Sequence, residues 1–200
     1  MGRRSVDHVT ESHHLEAFVQ DCGRKLEVKG GIEEFGVSRI LDFELAGRAV
    51  KVGTNGSLYW VTAELRWDMR PDVGIMWAPE NTYKRGKLLE MENEPPRTSD
   101  GAFDAVYVVV GVGSAAAVFA PRLGPSVRAA LLEFADLRPD IGWLATNLKR
   151  QLHIRSEPAL RTGEWDHGST ALGSDLFTPA HAAEAVRRAV QLAERIESPK

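Results

Sequence analysis

Apolar and polar residues alternate along the stretch LYWVTAELRW (58–67), and this alternation sets the first expectation for the fold. The apolar face of the predicted strand carries Tyr59, Val61, Ala63, Leu65 and Trp67. Its other face mixes Trp60 with Thr62, Glu64 and Arg66. One apolar and one mixed face is typical of an antiparallel sheet with one solvated side.

The preceding SRILDFELAGRAVKVGT (38–54) predicts two strands joined in a hairpin at Ala46-Gly47. VGIMWA (73–78) and KLLEME (87–92) predict shorter strands.

Helical spacing appears in three other parts of the chain. SHHLEAFVQDCGRKL (12–26) predicts an amphipathic helix that begins after Ser12 and ends near Gly23. GPSVRAALLEFADLRPD (124–140) predicts a second helix from Pro125 or Ser126, and TPAHAAEAV (178–186) opens a third, with Thr178 as its N-cap. Strands in runs, flanked by helices, predict an α+β fold with one or two antiparallel sheets.

The predicted domain organisation has four parts. Residues 1–11 are polar and predict a flexible N-terminus, and residues 12–91 hold a helix and antiparallel strands. Residues 92–101 (ENEPPRTSDG) lack apolar side chains and predict a linker or long surface loop. Residues 102–200 follow as a strand, a helix, further strands and a helix. The two halves are either separate small domains or parts of one continuous sheet.

Composition narrows the classes of function. The net charge of −3 argues against nucleic-acid binding, which usually needs a basic surface. No apolar run approaches the length of about 20 residues that a membrane helix needs, so membrane insertion is not expected. Cys22 is the one cysteine, which excludes an internal disulfide and predicts a small packing residue. These features together predict a cytoplasmic protein.

A glycine pattern follows the apolar run VYVVV (106–110). Gly111-Val112-Gly113-Ser114 resembles the turn of a dinucleotide-binding motif, but Pro121 and Gly124 leave room for only a short helix after it. No acidic residue stands at the end of a second parallel strand about 20 residues further on. We therefore expect a buried strand, a turn and one or two helical turns, with no cofactor.

The segment GAFDAVYVVVGVGSAAAVFAPRLGPSVRAALLEF (101–134) resembles a recurring stretch of uncharacterised bacterial proteins. In those proteins a strand opens with FD, a short turn follows, and then a helix of the pattern LxPxVRxxLL. The residues that fit that pattern are Leu123, Pro125, Val127, Arg128, Leu131 and Leu132, and the similarity covers roughly residues 15–196. The resemblance implies a bacterial domain of unknown activity, and its motifs are structural.

Candidate chemistry is sparse. Glu164, Asp166 and His167 come together in GEWDHG (163–168) and are side chains of the types that bind zinc or other divalent metals. No partner His or Cys stands at ligand spacing, so a solvated loop is the competing interpretation. No nucleophile elbow, metalloprotease motif or phosphate-binding loop occurs, and we assign no catalytic residue.

Two features indicate contact with another protein. Trp60 lies on the polar face of its predicted strand, and Trp165 lies in a polar loop between acids. The last helix carries a narrow stripe of small residues that includes Val186, Ala189 and Ala193. The sequence thus favours a non-enzymatic bacterial interaction or assembly module that binds another protein or forms a homo-oligomer. The alternative is a small-ligand or divalent-metal-binding protein, including a hydrolase.

Overall fold

A computed structural model describes residues 4–55, 59–67, 72–78, 95–111, 113–142, 151–155 and 178–198. Within these ranges the chain forms α-helices and two antiparallel sheets, which confirms the predicted α+β class. The helices are α1 (Arg4–Leu26), α2 (Gly101–Asp104), α3 (Ala115–Phe119), α4 (Pro125–Glu133) and α5 (Pro179–Glu197). The strands are β1 (Gly31–Phe35), β2 (Ser38–Leu45), β3 (Arg48–Thr54), β4 (Tyr59–Glu64), β5 (Val73–Trp77), β6 (Tyr107–Gly111), β7 (Asp140–Ile141) and β8 (Gln151–Arg155).

The chain divides into two compact units, and the division does not fall at the predicted linker 92–101. The first unit comprises Met1–Ala63 and Arg155–Val190, and the second comprises Glu64–Ile154 and Gln191–Lys200. Residues 95–101 therefore lie inside the second unit. Helix α5 contributes residues to both units, because its chain passes from one to the other after Val190.

The first unit contains β1, β2, β3 and β4, each antiparallel to the next. Leu45 pairs with Arg48 across the predicted hairpin, which is confirmed. Ala46 and Gly47 have φ values of 53° and 72°, so the turn is of the type whose twist suits adjacent antiparallel strands. Strand β4 buries Tyr59, Val61 and Ala63 on its predicted apolar face, and on the other face Trp60 and Glu64 are half-buried while Thr62 is buried too.

Helix α1 packs against the apolar face of this sheet. The ring of Phe18 stacks on Tyr59 with centroids 6.2 Å apart. A β-carbon at Gly23 would lie 2.9 Å from Cδ2 of Leu41, so this glycine lets the helix approach β2 closely. The helix therefore passes through Gly23, its predicted end, and terminates at Leu26 with Glu27 at a φ of 58°.

The observed α1 also begins earlier than predicted. It starts at Arg4, within the segment 1–11 that was expected to be flexible, whereas Ser12 was the predicted N-cap. No glycine or proline occurs from Arg4 to Cys22, so no residue in this segment interrupts helical backbone geometry. The polar composition of residues 4–11 is therefore compatible with a helix, although it has no apolar stripe to signal one.

The second unit contains the strand order β8-β7-β5-β6. Strands β5 and β6 pair over five residues, from Val73 opposite Gly111 to Trp77 opposite Tyr107. The hydroxyl of Tyr107 donates a hydrogen bond of 2.9 Å to the carbonyl of Leu131, which ties β6 to α4. The second helix begins at Pro125, as predicted. The predicted strand KLLEME (87–92) lies outside the described residues.

The resemblance implies a strand that opens with FD (103–104), but the strand begins at Tyr107, because Asp100 starts a helical turn. Its Oδ1 accepts hydrogen bonds of 3.1 Å from the backbone N–H groups of Ala102 and Phe103. Asp100 is therefore the N-cap of α2, and its side chain satisfies two backbone N–H groups of the first helical turn that have no partner within the helix. Phe103 lies in α2 and is fully buried, with its ring stacked 5.1 Å from Tyr107.

A polar network fixes this turn to α4. Oδ1 of the buried Asp104 accepts from the backbone N–H and the hydroxyl of Thr98, each at 3.0 Å. Nε of Arg128 lies 3.3 Å from Oδ2 of Asp100, and the same guanidinium donates to the carbonyl of Leu123. The hydrogen bond from Phe103, followed by the interaction with Arg128, lowers the pKa of Asp100 below its ordinary value of 3.8.

This network predicts an acid-sensitive contribution to stability. A lowered folded-state pKa means that Asp100 stabilises the fold above its unfolded pKa and loses that contribution as the pH falls through the folded value. Asp100→Asn keeps a capping side chain but removes the charge opposite Arg128. We expect the variant to be less stable than wild type at neutral pH and the difference to shrink below about pH 4. Urea unfolding across pH checks this, and a difference that stays constant down to pH 2 would contradict it.

Candidate interaction surface

The glycine turn after β6 is a packing feature. A β-carbon at Gly111 would lie 2.7 Å from the backbone nitrogen of Ala116 and 3.1 Å from the carbonyl oxygen of Asp72. Gly113 has a φ of 58°, which favours glycine. The following α3 has only five residues and continues into a 3-10 turn over Ala120–Arg122. This length agrees with the one or two helical turns that the sequence predicts. The two glycines are thus explained by close packing and turn geometry.

Three buried groups, the thiol of Cys22 and the phenols of Tyr59 and Tyr107, are held in their neutral forms. Burial raises the pKa of the Cys22 thiol to about 12, although the nearby Arg187 opposes this. Burial likewise raises the pKa of Tyr59 to about 12, and it raises the pKa of Tyr107. A thiol held protonated is a poor nucleophile and metal ligand. Cys22 therefore acts as the packing residue that the sequence predicts.

Several of the predicted site residues cannot be placed. Trp165 and the metal-ligand candidates Glu164, Asp166 and His167 lie outside the described residues. In the part of the chain that the structure describes, no three His, Cys, Asp or Glu side chains group as metal ligands. No helix among the described residues is long and apolar enough to cross a membrane.

The stripe on α5 is buried within its own chain. Val186, Ala189 and Ala193 have no exposed surface, although the sequence analysis offered them as partner contacts. Small side chains at helical spacing let a helix lie close to its neighbours, and here those neighbours belong to the same polypeptide. Thr178 caps α5 as predicted, since its hydroxyl accepts from the N–H of His181 at 3.2 Å. The stripe is therefore not available to a partner in this fold.

Trp60 lies on the outer face of the first sheet, as predicted, and is half-buried. A β-carbon at Gly53, the residue opposite it on β3, would lie 2.4 Å from the indole ring. The ring therefore lies directly over this glycine, and Ile40 continues the same cross-strand row on β2. The sheet itself thus covers part of Trp60, and the rest of its surface stays accessible.

The most exposed apolar side chains among the described residues lie at the tip of the β1–β2 hairpin. Phe35 is 76% exposed and Val37 is 72% exposed. They flank Gly36, whose φ of 59° belongs to a two-residue turn closed by Phe35 and Ser38. The turn requires glycine at its first central position. It does not require apolar residues on either side, so turn geometry does not explain Phe35 and Val37.

One side of the β1 backbone pairs with none of the strands that the structure describes. Strand β1 ends the strand order of its sheet and pairs with β2 alone among the described strands. Phe35 and Ser38 close a two-residue turn and so form a hydrogen-bonded pair. By the alternation of antiparallel pairing, the main-chain groups of Gly31, Glu33 and Phe35 point to β2, and those of Ile32 and Glu34 point away.

Acidic side chains on β1 are directed over the sheet rather than along this edge. Oε1 of Glu34 lies 2.9 Å from Nη2 of Arg39, and Oε2 of Glu33 lies 3.5 Å from Nζ of Lys51. Arg39 and Lys51 belong to β2 and β3, so both glutamates reach toward inner strands. Charged residues often guard an exposed strand edge. Here the ion pairs direct both carboxylates toward inner strands of the sheet.

We call this feature the β1 edge: the outward-facing main chain of Ile32 and Glu34 together with the exposed side chains of Phe35 and Val37. Sequence reasoning missed it, because GIEEF (31–35) has no clear alternation of apolar and polar residues. The one signal was Gly36, which sits between two apolar residues just before the predicted strand at Ser38.

The chain was compared with protein-family models, with curated proteins and with solved structures, and none of them matches it. The resemblance to uncharacterised bacterial proteins that carry the LxPxVRxxLL helix therefore stays a prediction.

The packing role of the glycine turn makes a paired prediction. Gly111→Ala places a methyl group against the backbone of α3 and should lower the free energy of unfolding by about 1–3 kcal/mol. A β-carbon at Gly113 would meet no atom within 4 Å, and asparagine tolerates positive φ, so we expect Gly113→Asn to lose less than about 1 kcal/mol. Chemical denaturation of both variants checks this order, and equal losses would contradict the packing explanation.

Proposed function

We propose that the protein is a non-enzymatic interaction or assembly module that contacts another polypeptide through the β1 edge. The observation that carries this proposal is the pairing of two exposed apolar side chains with an open strand edge in one hairpin. Main-chain groups at such an edge supply hydrogen bonds to an added strand, and side chains beside it supply specificity. The bacterial and cytoplasmic setting inferred from the sequence belongs to the same proposal.

Burial of the exposed apolar side chains at the β1 edge would be favourable in free energy, so we expect another polypeptide to cover this surface when the protein functions. Full burial of a Phe or Val side chain is worth about 1.5–3 kcal/mol relative to exposure. Phe35 and Val37 leave most of that free energy unused in the single chain. Single exposed apolar residues are ordinary, but two on one hairpin turn, beside a strand edge that no described strand pairs with, form a contact patch.

The proposal moves the contact surface away from the residues first suggested by the sequence. The stripe of Val186, Ala189 and Ala193 is buried, whereas Phe35 and Val37 are accessible. Trp60 lies in the same cross-strand row as Glu33 of β1, through Gly53 and Ile40. Its accessible part therefore extends the patch along the outer face of the same sheet.

The double variant Phe35→Ser, Val37→Ser tests the proposal directly. Both side chains are mostly exposed, so we expect the thermal unfolding midpoint to stay close to that of wild type. Loss of the two apolar groups should release the polypeptide bound at the β1 edge. Native mass spectrometry of each form, gently isolated from its own host, measures whether a second chain is attached.

The matched control is Val118→Ser, which removes another exposed apolar side chain, 43% exposed, on α3. It should leave the attached chain in place. A wild-type protein isolated only as a bare monomer would contradict the proposal. So would a complex that survives the double variant unchanged.

A further inference from the structure

We propose that the polypeptide bound at the β1 edge is basic: an extended segment that lies beside β1 as an added strand and places lysine or arginine side chains against Glu33 and Glu34. This inference rests on the proposed function and names the chemistry of its partner. The observations behind it are the burial of the bases and the exposure of the acids in the first sheet.

The charged side chains of β1, β2 and β3 differ in exposure according to their sign. Two of the three bases, Arg39 and Arg48, are buried, and Lys51 is half-buried. Each of the four acids keeps at least part of its side chain in solvent, and these acids are Glu33, Glu34, Asp42 and Glu44. Solvent therefore meets mainly carboxylates on these three strands, although acids and bases occur in them in similar numbers.

The carboxylate of Glu34 lies outside the base that it contacts. Its Oε1 is 2.9 Å from Nη2 of Arg39, yet the Glu34 side chain is 72% exposed and that of Arg39 is 8% exposed. A carboxylate has about four lone-pair sites, so it can accept from more than one donor. Glu34 can therefore contact a cation on its solvent side while it keeps its contact with Arg39.

Glu33 belongs to a group of three charges that contains a single base. Nζ of Lys51 lies 2.6 Å from Oδ2 of Asp42 and 3.5 Å from Oε2 of Glu33. The hydrogen bond to Asp42 is the main reason that the pKa of Lys51 lies above its ordinary value of 10.5. Two carboxylates and one ammonium group leave a net charge of −1, and Glu33 is the most exposed of the three side chains.

The two acids lie where an added strand would meet them. Ile32 and Glu34 direct main-chain groups away from β2, and Glu33 lies between them on the opposite face of the strand from Glu34. Two adjacent residues of an added strand therefore meet one carboxylate on each face. Opposite charges directly across a strand pair stabilise it, whereas like charges destabilise it. This pattern favours a partner with two adjacent basic residues.

The neighbouring groups agree with a basic partner that also carries an apolar residue. The position next to the basic pair stands beside the exposed Phe35, where an apolar side chain would gain free energy by covering the ring. Strand β1 contains no base, and the exposed Lys29 precedes its first residue by two positions. The whole chain has a net charge of −3, so long-range attraction also favours a basic partner over an acidic one.

Three synthetic peptides test the charge of the partner. Each has about six residues, the usual length of a strand, with threonine and valine around two adjacent central residues that are both lysine, both glutamine or both glutamate. We expect the lysine peptide to bind the purified wild-type chain. The glutamine peptide should bind about 2- to 30-fold more weakly, because two opposite-charge pairs are lost, and the glutamate peptide more weakly still.

Isothermal titration calorimetry at low and at high salt measures these dissociation constants. Salt screens exposed charges, so the preference for lysine should shrink as the ionic strength rises. Equal binding of the three peptides would overturn the proposal, and so would a lysine peptide that does not bind at low salt.

Carboxylate variants locate the preference on β1. The double variant Glu33→Gln, Glu34→Gln removes both charges and keeps the size of the side chains, so the lysine and glutamine peptides should then bind alike. The matched control is Glu44→Gln, which removes an exposed carboxylate on β2 whose cross-strand partner is Ala49. The control should keep the wild-type preference. Thermal unfolding of each variant records any effect within the single chain. A double variant that keeps the full preference for lysine would overturn the assignment to these two residues.

A second pair of variants tests the main-chain contact. Ile32→Pro removes an N–H that points away from β2, a position where proline is tolerated in an edge strand. Ile32→Val keeps the N–H and a side chain of similar bulk. We expect Ile32→Pro to lose the lysine peptide and Ile32→Val to bind it, with both variants folded by circular dichroism. A folded Ile32→Pro protein that binds this peptide like wild type would overturn pairing along β1.

The failure of this inference is distinguishable from failure of the proposed function. A host complex that depends on Phe35 and Val37, beside a purified chain that binds the three peptides alike, overturns the basic partner alone. A purified chain that self-associates through Phe35 and Val37 would identify a second copy as the occupant and also overturns the basic partner alone. A host-derived bare monomer, together with a purified chain that binds none of the peptides, overturns both.

Discussion

The functional account depends on one constraint, namely which residues of β1 direct their main-chain hydrogen-bonding groups toward β2 and which direct them away from it. The two-residue turn at Gly36-Val37 makes Phe35 and Ser38 a bonded pair, and antiparallel geometry then fixes every residue before it. Ile32 and Glu34 are left with main-chain groups that face away from the sheet. A turn one residue longer would exchange these roles and direct Gly31, Glu33 and Phe35 outward instead. The positive φ of Gly36 thus sets both the tip and the open edge.

Small residues serve packing throughout the described structure. Gly23 brings α1 close to Leu41, Gly53 lies under the ring of Trp60, and Gly111 admits the backbone of α3. The alanines of α5 do the same on a helix, where Ala189 and Ala193 are fully buried. Glycines and alanines at such places resemble ligand-binding turns or docking stripes when only the sequence is read. Their distances to neighbouring atoms show what they accommodate.

The sequence predicted the elements whose side chains repeat with a clear period. The hairpin at Ala46-Gly47, the alternation of β4, and the starts of α4 at Pro125 and α5 after Thr178 all follow from local patterns. Strand β1 escaped prediction because Glu33 and Glu34 are adjacent acids of low strand propensity. Helix α2 was hidden because the Asp100 cap precedes a long apolar run that indicates a strand. The spacing of residues also identified the apolar stripe on α5. It could not show that other parts of the same chain cover this stripe.

The measurement that tests the central claim most directly is amide hydrogen exchange along β1, in the isolated chain and in the complex gently isolated from its host. The account predicts that Glu33, bonded to β2, exchanges slowly in both forms. It predicts that Ile32 and Glu34 exchange rapidly in the isolated chain and become protected in the complex. Protection of Ile32 in the isolated chain would mean that the chain covers its own edge. Rapid exchange of Ile32 in the complex would mean that the bound polypeptide does not pair there, and either result would contradict the account.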